Sequence, residues 1–131
     1  MPISDIYGLR QALENIKADS GMIARHKEVA AKTREAIVRA GLQLYAENGY
    51  SNTVTVFTVP GGITASQILD TMRKDYQIML AGSFDVMAGE VIRIGHMGYN
   101  CREDYMIETL DALNQTMKKL GVPLREELAY K

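Results

Sequence analysis

The spacing of apolar residues changes along the chain from helical to alternating and back, and those changes predict its elements. Ile6, Leu9, Leu13 and Ile16 recur at intervals of three and four, an apolar stripe along one helix. Ser4 is placed to cap that helix, and Asp5 in its first turn suits the helix dipole. Gly21 interrupts. A second helix is expected over about 22–40, with Ile23, Val29, Thr33, Ile37 and Ala40 near one face. Its other face carries Arg25, Lys27, Glu28, Lys32, Arg34, Glu35 and Arg39, the pattern of a solvated surface. Gly41 is a helix stop, and residues 42–45 read as a short strand or extended piece.

Beyond the Asn48-Gly49 turn signal, residues 53–59 (TVTVFTV) are β-branched almost throughout and end at Pro60-Gly61-Gly62, the strongest strand in the chain. Val54, Val56 and Thr58 face one way, and Thr55, Phe57 and Val59 the other. Thr64 with Gln67 forms a capping box for a helix reaching about Asp75, with Ile68, Leu69 and Met72 buried. The short apolar runs 78–81 (IMLA) and 91–94 (VIRI) predict two further strands joined by a loop. Asn100 with Glu103 marks the start of a last helix, about 102–119, whose stripe is Tyr105 or Met106, Leu110, Leu113 and Met117. Gly121 and Pro123 stop it, and the tail reads as polar and loosely held. The expected fold is α+β: a small mixed or antiparallel sheet of three to four strands covered by helices, in a single domain over 1–131.

Composition narrows the functional classes without naming one. Apolar residues make up 47% and charged residues 24%, the balance of an ordinary globular protein. The net charge is −1 and the basic residues are scattered, which argues against nucleic acid or an anionic membrane as partner. No apolar run reaches the length of a membrane span, and the first residues, MPISD, lack a signal peptide's basic and apolar regions. A single cysteine, Cys101, can form no internal disulfide, which fits the cytoplasm. Eight methionines and no tryptophan point to an adaptable core.

One charged residue, Arg93, sits inside an apolar strand run. Desolvating a guanidinium is costly unless an anion pairs with it. Its partner is either a structural carboxylate, such as Asp85 or Glu90, or the acid group of a ligand gripped through two parallel charge-assisted bonds. His96 has only His26 for company, so a hydrogen-bonded histidine in a strand-to-loop turn is expected rather than a metal ligand. Cys101 reads as a small residue near a helix start. Gly61-Gly62 lacks the Lys-Ser/Thr of a phosphate loop, and the 82–89 loop is too irregular for a phosphate cradle. The lysines fall on polar helix faces or in the tail. Alone, these residues assemble no catalytic site.

From Leu80-Ala81-Gly82 through Arg93-Ile94-Gly95-His96-Met97-Gly98 the sequence resembles the C-terminal part of class V pyridoxal-phosphate aminotransferases, specifically the alanine–glyoxylate / serine–pyruvate group. Residues 2–9 (PISDIYGL) with Ala12-Leu13 resemble the helix after that family's Thr-Pro-Pro segment. Ala24-Arg25-His26 is similar to its Ala-Arg-His, and residues 51–55 (SNTVT) to its first small-domain strand. The likeness covers about residues 2–120. It implies a small domain like the C-terminal domain of fold-type I pyridoxal-phosphate enzymes. It also implies that Arg93 holds the substrate α-carboxylate, the group common to the amino acid and the keto acid, and so fixes Cα over the cofactor. Ser83 and Phe84 would then border the substrate pocket. Family members often carry Gly-Gly-Leu-Gly there, so Ser83, Phe84 and Asp85 change the shape and polarity of that pocket.

The family's large domain, with its cofactor-binding lysine, pyridine-nitrogen aspartate and phosphate-binding residues, has no counterpart in this sequence. The resemblance therefore implies an expressed C-terminal domain, or the small subunit of an enzyme encoded as two chains. Pyridoxal 5′-phosphate would be bound by a separate large chain or domain, and homo-oligomerisation is expected. The rival reading is a stand-alone amino-acid-binding or interaction module without catalytic activity. Relatives of this family have also been labelled soluble hydrogenase subunits, and one cysteine without a metal-ligand cluster gives that chemistry no support.

Overall fold

The computed structural model describes residues 1–131 and arranges them in the order α1 (Ile3–Ala18), α2 (Met22–Arg39), β1 (Val54–Thr58), α3 (Ala65–Tyr76), β2 (Val91–Gly95) and α4 (Glu103–Lys119). Short 3₁₀ turns cover Asp85–Met87 and Gly98–Asn100. The α+β reading holds, and helix positions differ from expectation chiefly at their ends. α1 begins at Ile3 with Pro2 at the cap position and no side-chain cap, so Ser4 lies inside the first turn. α4 begins at Glu103 behind Arg102, while Asn100 belongs to the preceding 3₁₀ turn. The α3 box forms as its sequence predicts: Gln67 N–H donates to Thr64 Oγ1 and Thr64 N–H to Gln67 Oε1.

The sheet has two strands where the pattern predicts three to four. β1 and β2 run antiparallel, from Val54 opposite Gly95 to Thr58 opposite Val91. One bridge flanks each edge, Leu44 beside Phe57 and Ala81 beside Arg93. The flanking segments are short because the helices before them claim their backbones. Leu42 N–H closes α2 on Ile37 O, and Ile78 N–H closes α3 on Met72 O; beyond these, Gln43 and Tyr45 bond to β1, and Ala81 alone of its segment bonds to β2.

One face of the sheet carries Phe57, Ile92 and Ile94 into a core shared with Val29 and Ile37 of α2, Ile68 and Met72 of α3, and Met106, Leu110, Leu113 and Met117 of α4. Ile23, expected on the inner face of α2, is exposed, and Leu69 is only half-buried. The tail is not loosely held. Leu128 is buried and donates its N–H to Asn114 Oδ1, Arg125 N–H reaches Ala40 O, and Arg39 donates to Ala129 O. Gly41 permits this packing in two ways. Its φ of +85° suits the turn after α2, and a Cβ there would stand 3.3 Å from Arg125 Cβ. α1 is the opposite case, with no buried residue at all.

Candidate functional site

Alternation along β2 sends Ile92 and Ile94 to the core and Arg93 to the other face, across from Val56. Arg93 is half-buried and is gripped by the segment that runs alongside it. Its backbone exchanges two hydrogen bonds with Ala81, at 3.2 and 2.7 Å. Its Nε donates to Gly82 O at 2.6 Å, and its guanidinium lies 5.6 Å from the centre of the Phe84 ring. Neither Asp85 nor Glu90 pairs with it, and none of the ion pairs of the chain includes it. The structural-carboxylate alternative is thus not realised. With Nε committed to a carbonyl, the guanidinium still offers its terminal Nη1/Nη2 edge, a geometry that accepts a carboxylate end-on.

The loop beside this arginine is held in shape by its own backbone. Met87 N–H donates to Phe84 O, Ala88 N–H to Asp85 O and Glu90 N–H to Met87 O. Asp85 sits in the left-handed region at φ 51°, a conformation aspartate tolerates better than most residues. Ser83 is half-buried next to Gly82, while the Phe84 side chain is exposed. The structure thus gathers Arg93, Ser83 and Phe84, the three residues singled out from the sequence, around one short stretch of backbone. Two cavities lie elsewhere in the chain. One of about 340 Å³ lies between the end of α1 and residues 98–102, and one of about 520 Å³ between residues 76–80 and the start of α4.

At the far end of β2, His96 is buried on the core face, with Nε2 2.8 Å from Thr55 Oγ1 and Nδ1 without a partner. Burial pulls its pKa below the ordinary histidine value, opposed by nearby backbone carbonyl groups. Two residues at the start of α2 fasten the segment that follows. Arg25 donates Nε to Cys101 O and pairs through both terminal nitrogens with Asp19, which holds the Asp19 carboxyl below its usual pKa. His26 accepts from Gly98 N–H at Nε2 and contacts Met22 O through Nδ1, which places its proton on Nδ1. Charge patterning assigned Arg25 to a solvated face, and the Ala24-Arg25-His26 resemblance marks the residues without foretelling the contact with Cys101. The Gly82 carbonyl was not foreseen, because no side chain marks it.

No group of three or more His, Cys, Asp or Glu side chains in the chain could hold a metal ion. Lys32, Lys118 and Lys119 pair with Glu28, Glu127 and Asp75 on helix or tail surfaces, away from Arg93.

No family model matches the chain. Among curated proteins it is 35% identical over 123 residues to a serine–glyoxylate aminotransferase of Arabidopsis thaliana, matching 91% of this chain and 30% of that protein. A soluble hydrogenase small subunit of a Synechococcus strain is 30% identical over 122 residues, 92% of this chain and 32% of that one. Among solved structures, ureidoglycine–glyoxylate aminotransferase from Bacillus subtilis superposes with a TM-score of 0.88 at 27% identity, covering 95% of this chain and 33% of that one. The chain thus spans about a third of the length of the relatives it matches. By sequence and by structure together, the chain's homologues are class V aminotransferases of the serine–glyoxylate and alanine–glyoxylate group, and the third of them that it matches is their C-terminal small domain.

Proposed function

We propose that residues 1–131 serve as the small domain or small subunit of a pyridoxal-phosphate aminotransferase that moves an amino group from an amino acid to glyoxylate or pyruvate. Arg93 holds the substrate carboxylate, and Ser83 and Phe84 border the pocket. The observation that carries this reading is an arginine in the middle of a strand whose own chain supplies no anion for it. A half-buried cation without an anion of its own is explained by an anion that arrives from outside.

This chain has no residues suited to hold the cofactor. Lys32, Lys118 and Lys119 are paired with carboxylates on helix or tail surfaces, and no carboxylate forms an ion pair with Arg93. The cofactor, which would supply the electron-withdrawing chemistry of transamination, belongs in this reading to a separate large domain. The share of the relatives left unmatched is large enough for such a domain. α1, exposing Ile6, Leu9, Leu13 and Ile16, is the surface that the large domain covers. The assembled enzyme is a cytoplasmic homo-oligomer; no helix here is long and apolar enough to cross a membrane.

The test is kinetic. Arg93→Ala in the enzyme reconstituted with its large domain loses about 2–5 kcal/mol of binding to the carboxylate. That lowers kcat/KM by about 30- to 5000-fold while the domain stays folded. Undiminished activity sinks the role. The second reading, a free-standing amino-acid-binding module, draws on the closed core that the chain forms by itself. Affinity purification from the source cells separates the two: a larger pyridoxal-phosphate-bearing chain co-purifies under the first and none does under the second.

A further inference from the structure

Arg93 is not simply displayed by its strand; the neighbouring segment encircles it. Ala81 pins its backbone, the Gly82 carbonyl takes Nε–H, and the Phe84 ring lies over the guanidinium. Phe84 stands in extended conformation immediately before Asp85, whose left-handed backbone starts the 3₁₀ turn, and Phe84 O accepts the first hydrogen bond of that turn. The ring is 75% exposed and does not belong to the core cluster, so packing does not account for its position. What it does contact is the arginine.

We propose that Phe84 is a positioning residue: together with the Gly82 carbonyl it presets the Arg93 fork, so that this chain alone holds a small carboxylate end-on through Nη1 and Nη2. The proposal rests on the reading of Arg93 as a carboxylate clamp and deepens it. A free arginine side chain loses rotamer freedom when it binds. Here Nε is fixed by a charge-assisted hydrogen bond, and the ring restricts rotation of the plane, so that cost is met before ligand arrives. An aromatic face also leaves the in-plane donors available, whereas a carboxylate in its place would consume them.

The experiment follows the Arg93 Nε–H resonance in the isotopically labelled 131-residue chain while pyruvate is titrated in to about 50 mM. The native chain is expected to show a slowly exchanging Nε–H and saturable binding. An exposed cation–π contact of this kind converts to a roughly two- to fivefold change in affinity. Phe84→Ala is therefore expected to weaken binding by about that factor and to speed Nε–H exchange, without moving the unfolding midpoint. Phe84→Tyr, which keeps the ring, restores both. Native-like binding and exchange in Phe84→Ala overturn the positioning role and leave the Arg93 reading standing. Absence of pyruvate binding by the native chain overturns the claim that the receptor is preformed here, and again leaves the assembled enzyme's clamp intact. Equal binding in the native chain and in Arg93→Lys overturns the Arg93 reading itself.

Discussion

At the scale of single residues, the chain stations one polar side chain in the middle of β2 and another just past its end, and treats them oppositely. Arg93 faces away from the core and keeps its terminal nitrogens available; His96 faces inward and is shut off from water. Because burial depresses the His96 pKa, the unfolded chain binds a proton that the folded one resists. Stability contributed by neutral His96 is therefore fully present above about pH 6.5 and is lost as pH falls through its folded value. Urea midpoints are expected to be flat from pH 8 to about 6.5 and to decline below that, and His96→Gln is expected to flatten the upper part of the decline. The arginine was legible in the sequence because a charge within VIRI violates the pattern around it. The carbonyl and ring that hold it were not, since each depends on the path of a loop that no periodicity describes.

Elements differ in how much of their stability is their own. α3 carries its start signal in the sequence and forms it in space, so Thr64→Ala is expected to cost about 0.5–2 kcal/mol in chemical denaturation. α1 has a clear apolar stripe and buries nothing, because the stripe specifies a helix and a face but not what covers that face. Removing residues 1–18 is expected to leave the stability of the remaining core within about 0.5 kcal/mol of the native value. A changed cooperative transition would show that α1 packs on the body after all. The run 78–81 reads as a strand, and 42–45 as a short strand or extended piece, on their sequence alone. Each makes a single bridge to the sheet, and the first N–H of each run is taken by a closing helix.

Over the whole molecule, the least legible part was the tail. Gly121 and Pro123 end α4 correctly, and the polar residues that follow gave no sign that Leu128 would be 2% exposed. The scattered apolar residues of this short tail, Val122, Leu124, Leu128 and Tyr130, follow no helical or strand period that would reveal them. Leu128→Ala is expected to destabilise by about 2–5 kcal/mol, measured by denaturant unfolding, as for other buried leucines. The fold class was readable because long amphipathic helices and one strong strand need no tertiary information.

The same closure has a consequence in time. β1 meets β2 only after the segment carrying α3 has looped back, and Arg39 meets Ala129 across ninety positions of chain. Distant pairings repay the entropy of loop closure late, so the sheet and the seam along α2 form after the local helices. Refolding from denaturant is expected to gain helical signal first and to bury Phe57 and Leu128 on a slower phase, milliseconds rather than microseconds. The grip on Arg93 closes over only eleven positions, to Gly82, so the arginine is oriented before the tail is sealed against α2.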